Sequence, residues 1–336
     1  MIVSNRLPNS GMTASGLTGR GRPEADRRAA LLLHTHQARE ALMPFTRHLD
    51  AALVSALDSL YAKKDSWWRK LLDDDEVFIA IRPKAINAYA RGGSIAKIEW
   101  KKRLCLSLHR KFLVVPKTTK GDEYVDLLDT KHTASAPLIV DNVVDYANYL
   151  DFIKAAAGRL RKDEVEAENE IAVACESVLD IEAVFNSGSE IDLGDERTAG
   201  RRFDIVALRK DGTLMLIELK LYKNGDVRSS EIPAVCAQLA DYYALAKANE
   251  AEIIAEYAKV EAFRKDLHLA STVRPVNRLD PIPRLLLVGF DKAQRKNVLD
   301  LKKNIKMQLQ EHIPGFDEGH IRAVGNASNV RSEHLE

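Results

Sequence analysis

Two carboxylates and one amine are spaced for metal-assisted chemistry in the second half of the sequence. Asp204 lies in one apolar segment, Glu218 and Lys220 lie in the next, and Asp211-Gly212 separates the segments. Asp-Gly between apolar runs predicts a tight hairpin, and this turn is midway between Asp204 and Glu218. Because side chains alternate along a strand, Glu218 and Lys220 share a face. The register then places Asp204 beside Glu218, so we expect two carboxylates and one ammonium group together.

The segment around these charges is otherwise apolar. Thr213–Leu221 reads TLMLIELKL, a composition typical of a central strand that is covered on both faces. Glu218 and Lys220 would lose hydration there unless they pair or bind an ion. Magnesium prefers oxygen ligands, which two carboxylates and the Leu219 carbonyl would supply. The alternative interpretation is a structural ion pair between Glu218 and Lys220 at a strand end.

The hairpin resembles the D…ExK motif of the PD-(D/E)xK nuclease superfamily, which has the restriction endonuclease-like fold. In the RecB-type branch the next helix carries QxxxY, and Gln238 and Tyr242 have that spacing here. The family also has an acidic residue on the helix before the hairpin. Glu168 shares the apolar face of that predicted helix and is the preferred candidate, with Glu164 second. The family's proline before the first aspartate is absent, since Phe203 stands there.

The resemblance implies a role for each residue. Lys220 would orient or help deprotonate the attacking water and stabilise the charge that develops on the phosphate. Gln238 and Tyr242 lie one helical turn apart and would position the site or a phosphate. The bound ion would be Mg²⁺, with Mn²⁺ as an alternative. The implied metal ligands are Glu168, Asp204, Glu218 and the Leu219 carbonyl.

The implied activity is metal-dependent hydrolysis of phosphodiester bonds in nucleic acid, with DNA favoured over RNA. Restriction, repair and anti-phage defence are the settings that the resemblance suggests, and it leaves a homodimer open. One alternative is a nucleic-acid-binding or assembly module on the same fold without turnover. Another is a structural α+β protein whose charges pair by chance. The intact Asp204, Glu218 and Lys220 argue against the binding module.

Composition limits how the protein could bind nucleic acid and in which compartment it is expected. The chain has 50 Lys+Arg and 49 Asp+Glu, so nucleic-acid binding would depend on a local patch rather than on net charge. Cys105, Cys175 and Cys236 lack CxxC spacing and stand among apolar neighbours, which predicts small core residues and a reducing cytoplasm. No signal peptide and no membrane-spanning run is evident, so a membrane is not an expected partner.

The chain length of 336 residues predicts two domains, and the pattern of segments predicts an α+β protein with an α/β core. A long helix at about 26–62, an antiparallel meander from about 76, and a helix near 142–158 would form the first domain. Trp67 and Trp68 are expected to be buried between helix and sheet. The predicted divisions are a disordered leader at 1–25, an N-terminal α+β domain at 26–155, a nuclease-like domain at 156–320 and a flexible tail at 321–336.

The second half is predicted to follow the order α-β-β-β-α-β with additions. Its predicted elements are a helix at 160–182, strands at 183–186, 202–208 and 213–221, a helix at 230–248, a charged helical insert at 250–268, a strand at 284–290 and a helix at 292–311.

Overall fold

The protein contains two five-stranded sheets with helices packed against them, which confirms the α+β class. The computed structural model describes residues 45–109, 112, 124–126, 144–160, 162–185, 201–228, 232–269 and 274–336. The leader predicted at 1–25 and the first part of the helix predicted at 26–62 therefore lie outside the described residues. The described part of that prediction is extended up to Asp50, and helix α1 then spans Ala51–Tyr61.

The first sheet is the predicted antiparallel meander. Its strands follow in chain order, and each pairs antiparallel with the next. Helix α2 precedes them, and its Trp67 and Trp68 are buried as expected. Helix α3 follows them and packs on β2 and β3. The elements are α2 (Trp67–Leu72), β1 (Phe78–Arg82), β2 (Ala85–Ala90), β3 (Gly93–Trp100), β4 (Leu104–His109), β5 (Tyr124–Asp126) and α3 (Val144–Arg159).

The second sheet has the strand order β10-β9-β8-β7-β6. Strands β6, β7 and β8 pair antiparallel, whereas β8, β9 and β10 pair parallel. The predicted α-β-β-β-α-β order is present, with helix α7 in place of the charged insert. The elements are α4 (Asp163–Ala174), β6 (Val178–Phe185), β7 (Arg201–Leu208), β8 (Thr213–Leu221), α5 (Gly225–Arg228), α6 (Ala234–Ala248), α7 (Glu250–Asp266), β9 (Arg278–Val288), α8 (Arg295–Gln310), β10 (Ile321–Ala323) and α9 (Ser332–Leu335).

Several boundaries differ from the sequence prediction, and β9 begins at Arg278 rather than at 284. The helix predicted at 160–182 ends at Ala174, and β6 begins at Val178. The segment VLDIEAVF is largely buried on both faces of the strand and contains β-branched residues, which favour a covered strand over a longer helix. The tail at 321–336 was expected to be flexible, but β10 pairs with β9 and Leu335 is buried. A strand of three residues is too short to show a period in the sequence.

The two predicted domains share hydrophobic cores. Phe45 stacks on Phe185 of β6, with ring centroids 4.2 Å apart. A second cluster joins Phe78 and Tyr89 of the first sheet to Ile171 of α4 and to the inner face of the second sheet. The boundary predicted at 155/156 falls inside helix α3. The first sheet is therefore a packing partner of the helix and strands that carry the candidate site. Among the described residues, no helix is both long enough and apolar enough to cross a membrane.

Candidate active site

The candidate site lies where β7 and β8 separate, which we call the strand fork. Ile205 and Ile217 are the last residues that these strands pair, and Asp204 and Glu218 are the next residues along. The predicted register is therefore present. One carboxylate oxygen (Oδ2) of Asp204 accepts a hydrogen bond of 2.9 Å from the Leu219 backbone N–H. A side chain thus satisfies a backbone donor beyond the end of the ladder, and it fixes Asp204 against β8.

Lys220 connects the strand fork to helix α4. Its Nζ donates to Glu164 Oε1 at 3.0 Å and also to Glu218 Oε1. Burial lowers the pKa of Lys220, but Glu218 and Asp204 more than offset this, so the pKa is raised above its ordinary value. Lys220 is therefore an ammonium ion at neutral pH. Glu164, the second of the two helix candidates, is the one that contacts this lysine.

Glu168, the preferred helix candidate, lies near the Asp204 and Glu218 carboxylates, and burial together with their charges raises its pKa. Its side chain is buried, and its Oε2 has no hydrogen-bond partner among the residues that the structure describes. Burial raises the pKa of Glu168 well above its ordinary value, and the charge of Asp204 raises it further. The pKa of Asp204 is also raised, again chiefly by burial. The helix and the strand fork therefore bring three carboxyl groups together in a poorly solvated place.

Glu218 has the same deficit as Glu168. It is fully buried, and in the described part of the chain its Oε2 lacks a hydrogen-bond partner. Burial raises its pKa to about 8, and the Asp204 charge adds to that effect although Lys220 opposes it. Buried polar atoms are nearly always paired in native proteins, because an unpaired one costs about 1–3 kcal/mol. Two unpaired carboxylate oxygens in one site are thus a feature that calls for a ligand.

Helix α6 forms the wall of the site opposite α4. Gln238 Nε2 donates to Tyr242 Oη at 2.8 Å, and the Tyr242 hydroxyl donates to the Arg202 carbonyl oxygen on β7. Because its single hydroxyl hydrogen is used there, Tyr242 does not supply a donor to Glu218. Tyr242 also packs on Phe203, with ring centroids 4.2 Å apart. In this arrangement Gln238 and Tyr242 hold β7 in place beside Asp204.

Three further residues belong to the surroundings of the site. Asn224 donates from Nδ2 to Glu164 Oε2 at 2.9 Å. Arg202 pairs with Glu182 at 3.1 Å, and the two have opposite effects on the pKa of Glu168. The Asn224-Gly225 pair predicts only a turn in the sequence. Glu182 was not foreseen because the preceding helix was predicted to run through 182.

The first sheet helps to position helix α4. The Gly92 N–H of the β2–β3 hairpin donates to Asn169 Oδ1 at 3.2 Å, next to Glu168. Gly92 has φ 77°, and a Cβ there would lie 2.9 Å from the Glu166 backbone nitrogen. Only glycine fits both the conformation and the approach. The hairpin therefore packs directly on the turn of α4 that lies between Glu164 and Glu168.

The donors present suit a hard divalent cation by their chemistry. Carboxylates and a backbone carbonyl are the oxygen ligands that Mg²⁺ takes, and two carboxylate oxygens here lack any other partner. Within the described residues, no three or more His, Cys, Asp or Glu side chains are arranged so that they could hold a metal ion. The donor types fit the ion, but one of the carboxylates, Glu218, is already paired with Lys220.

Comparisons of the chain with models of protein families, with characterised proteins and with solved structures found no match. The resemblance to the PD-(D/E)xK superfamily consequently remains a prediction from the sequence.

Proposed function

We propose that this protein is a metal-dependent nuclease that hydrolyses phosphodiester bonds, with DNA favoured over RNA. The observation that carries the proposal is the pair of buried, unpartnered oxygens on Glu168 and Glu218 beside Asp204. Mutually repelling carboxylates are costly in an interior unless a proton or a cation neutralises them, and their raised pKa values express that cost. A structural ion pair alone would not explain a third carboxylate at the same place.

In this proposal each residue of the candidate site has a role. Asp204, Glu218, Glu168 and the Leu219 carbonyl would hold Mg²⁺ or Mn²⁺. When bound, such an ion supplies Lewis-acid polarisation of a phosphoryl oxygen and a more acidic water. Lys220 is a buried cation whose raised pKa keeps its proton, so it acts by stabilising developing negative charge rather than as a base.

Glu164 and helix α6 would act on the geometry of these groups. Glu164 holds the Lys220 ammonium from the α4 side, while Asn224 holds Glu164. Gln238 and Tyr242 keep Arg202 and the start of β7 in position, and so keep Asp204 near Glu218. Precise placement matters because displacement by about 1 Å can lower a rate on the order of 10²-fold.

A binding or assembly module without turnover is the second candidate. It is favoured by the present arrangement of Glu218 and Glu164 on Lys220, which leaves no ready-made metal cage among the described residues. Such a module would bind nucleic acid with the same affinity in Mg²⁺ and in EDTA. The nuclease proposal also includes a cytoplasmic location, with which the three buried free cysteines agree, and leaves a homodimer open.

The test is cleavage by purified protein of single-stranded, double-stranded and plasmid DNA and of RNA, in Mg²⁺, Mn²⁺ or EDTA. Lys220→Ala removes the buried ammonium. Lys223→Ala is the matched control, because Lys223 is a nearby lysine that pairs with Asp163 at an exposed position. We expect cleavage that needs metal, is lost in Lys220→Ala and persists in Lys223→Ala.

Two other results would contradict the proposed nuclease site. Cleavage that survives in Lys220→Ala would mean a contaminating activity or a site elsewhere. A folded protein that binds nucleic acid but cleaves no substrate in either metal would favour the binding module. Metal binding itself can be followed independently, because a ligand of the folded state alone raises the melting temperature. That shift should be present in the wild type and much smaller in Glu218→Gln.

A further inference from the structure

Helix α8 carries its positive charges on one flank. At about 100° per residue, its cations fall within an arc of about 120°, beside the buried face formed by Val298, Ile305 and Leu309. Asp300 borders the flank, about 40° beyond Lys296, and Asn297 lies about 60° further round the helix. The five residues of this basic flank are Arg295, Lys296, Lys302, Lys303 and Lys306.

Most of these cations are exposed and have no ion-pair partner. Arg295, Lys296 and Lys303 are exposed, and none of them forms an ion pair with another residue in the part of the chain that the structure describes. Lys302 lies 3.7 Å from Glu318. By contrast, the exposed Lys223 pairs with Asp163. The basic flank is thus a local excess of positive charge in a chain whose net charge is +1.

Helix α8 follows strand β9, which is the neighbour of the strand that carries Lys220. Strands β8 and β9 are parallel neighbours, and Lys220 and Leu221 pair with Leu287 and Val288. The Tyr222 N–H donates to the Val288 carbonyl oxygen at 2.8 Å, so both chains leave the sheet side by side. Helix α8 begins seven residues after Val288. The strand that carries Lys220 and the strand that leads into α8 are therefore direct neighbours in the sheet.

The first turn of α8 is also unfavourable for the helix alone. It contains no acidic residue, whereas Arg295 and Lys296 stand there. The positive end of the helix dipole disfavours cations at this position. An anion bound there would reverse that disadvantage, since the dipole and both side chains would then attract the same charge.

We propose that the basic flank of α8 binds the phosphodiester backbone of the nucleic acid that enters the strand fork. This inference rests on the proposed nuclease function. From Arg295 to Lys306 the helix extends about 16 Å, which is the rise of about five base pairs of duplex. Val298, Ile305 and Leu309 are committed to the core, and the exposed apolar residues of α8 are Leu299 and Met307, which are too few to form a continuous apolar face for a lipid surface.

The test is binding in EDTA, where cleavage does not interfere. Short fluorescent duplex DNA, single-stranded DNA and RNA of one sequence are titrated with the wild type and with a triple variant, Arg295→Ala, Lys296→Ala and Lys303→Ala. Alanine is a strong helix former, so α8 should persist. The control variant carries Lys63→Ala, Lys64→Ala and Lys265→Ala. It removes the same charge at exposed positions of the α1–α2 turn and α7.

We expect the triple variant to lose about tenfold or more in affinity and about three units of the slope of log K against log salt. The control variant should differ from the wild type by less than about twofold. Equal losses in both variants would overturn the proposal, because net charge rather than position would then be responsible. Absence of nucleic-acid binding by the wild type, or binding to anionic vesicles instead, would also overturn it.

These results are separable from those of the cleavage test. Binding through the basic flank by a protein that does not cleave would retain the surface and reject the nuclease site. Metal-dependent cleavage with unchanged binding in the triple variant would retain the nuclease site and reject this surface.

Discussion

Two buried acidic sites in this protein differ in how fully their oxygens are satisfied. Asp180 on β6 is buried, as are Glu218 and Glu168 at the strand fork. Asp180 Oδ2 accepts hydrogen bonds of 3.2 Å from Arg47 Nε and Nη2 and of 3.1 Å from Tyr257 Oη, and Asp180 Oδ1 accepts from Arg82. Asp180 has two arginines as partners, whereas Lys220 is shared between two carboxylates, those of Glu218 and Glu164.

The difference separates a structural site from a candidate functional one. The Asp180 cluster joins the extended segment at Arg47, strand β1 and helix α7 to the second sheet, and both carboxylate oxygens have donors. At the candidate site, one carboxylate oxygen each of Glu168 and Glu218 has no hydrogen-bond donor among the described residues. A satisfied buried charge fixes the packing of the chain, whereas an unsatisfied one keeps the capacity to bind something else.

The largest effect on stability should come from Asp180. Asp180→Asn keeps the shape of the side chain but leaves Arg47 and Arg82 buried without a counter-charge. We expect a loss of about 3–5 kcal/mol in the free energy of unfolding, measured by urea denaturation. Residual cleavage per folded molecule should remain close to that of the wild type. A loss below about 1 kcal/mol would remove the structural half of the comparison.

Glu218→Gln should show the opposite pattern. Cleavage should fall by at least about 10²-fold, because a charged group at the reacting centre is removed. The free energy of unfolding in EDTA should stay the same or increase, since the substitution removes repulsion from Asp204 and Glu168. Destabilisation as large as that from Asp180→Asn would show that Glu218 is a structural charge and would contradict the distinction.

The strand fork could be predicted from sequence because its determinants are local. The Asp211-Gly212 turn fixes the register of Asp204 and Glu218, and alternation sets the face of Lys220. Helical periodicity likewise brought forward both acidic candidates on α4. The position of Glu164 against Lys220 depends on how α4 packs on the sheet, and the sequence could only rank it second.

The Asp180 cluster could not be predicted, because its partners come from distant segments. Arg47, Arg82 and Tyr257 are far from Asp180 in sequence, and no spacing connects them. Asp180 itself was placed in a helix, since residues after Cys175 continue an apolar pattern that suits either element. Strand β10 could not be predicted for a different reason, because its three residues are stabilised by pairing with β9.

The third prediction uses pH to distinguish the two sites. The folded-state pKa of Glu218 is raised from 4.5 to about 8, so the folded protein binds more protons than the unfolded chain between these values. The stability from this group is full below about pH 4.5 and is lost as pH rises through about 8. In EDTA, raising the pH from about 5 to about 8 should lower the free energy of unfolding of the wild type by on the order of 1–3 kcal/mol more than that of Glu218→Gln.

Urea denaturation of both proteins across this range measures that difference. Asp180→Gln is unsuitable as a reference because it changes the length of a packed side chain, so Asp180→Asn serves. Its curve should run parallel to that of the wild type over the same range, since Glu218 is intact in both. Parallel curves for the wild type and Glu218→Gln would mean that Glu218 does not titrate in this window, and the case for an unsatisfied carboxyl group would weaken.

The smallest effect should come from the hairpin that holds helix α4. Gly92→Ala places a Cβ 2.9 Å from the Glu166 backbone nitrogen at a residue with φ 77°. We expect a loss of about 1–3 kcal/mol in stability and about a tenfold loss in cleavage, because α4 must shift while carrying Glu164 and Glu168.

Gly158→Ala is the control, since its added Cβ meets only the Arg91 side chain, at 3.4 Å. It should be neutral or stabilising, as expected for alanine in a helix. If Gly92→Ala lowers stability but leaves the metal dependence of cleavage unchanged, the first sheet supports the fold without setting the position of the acidic helix.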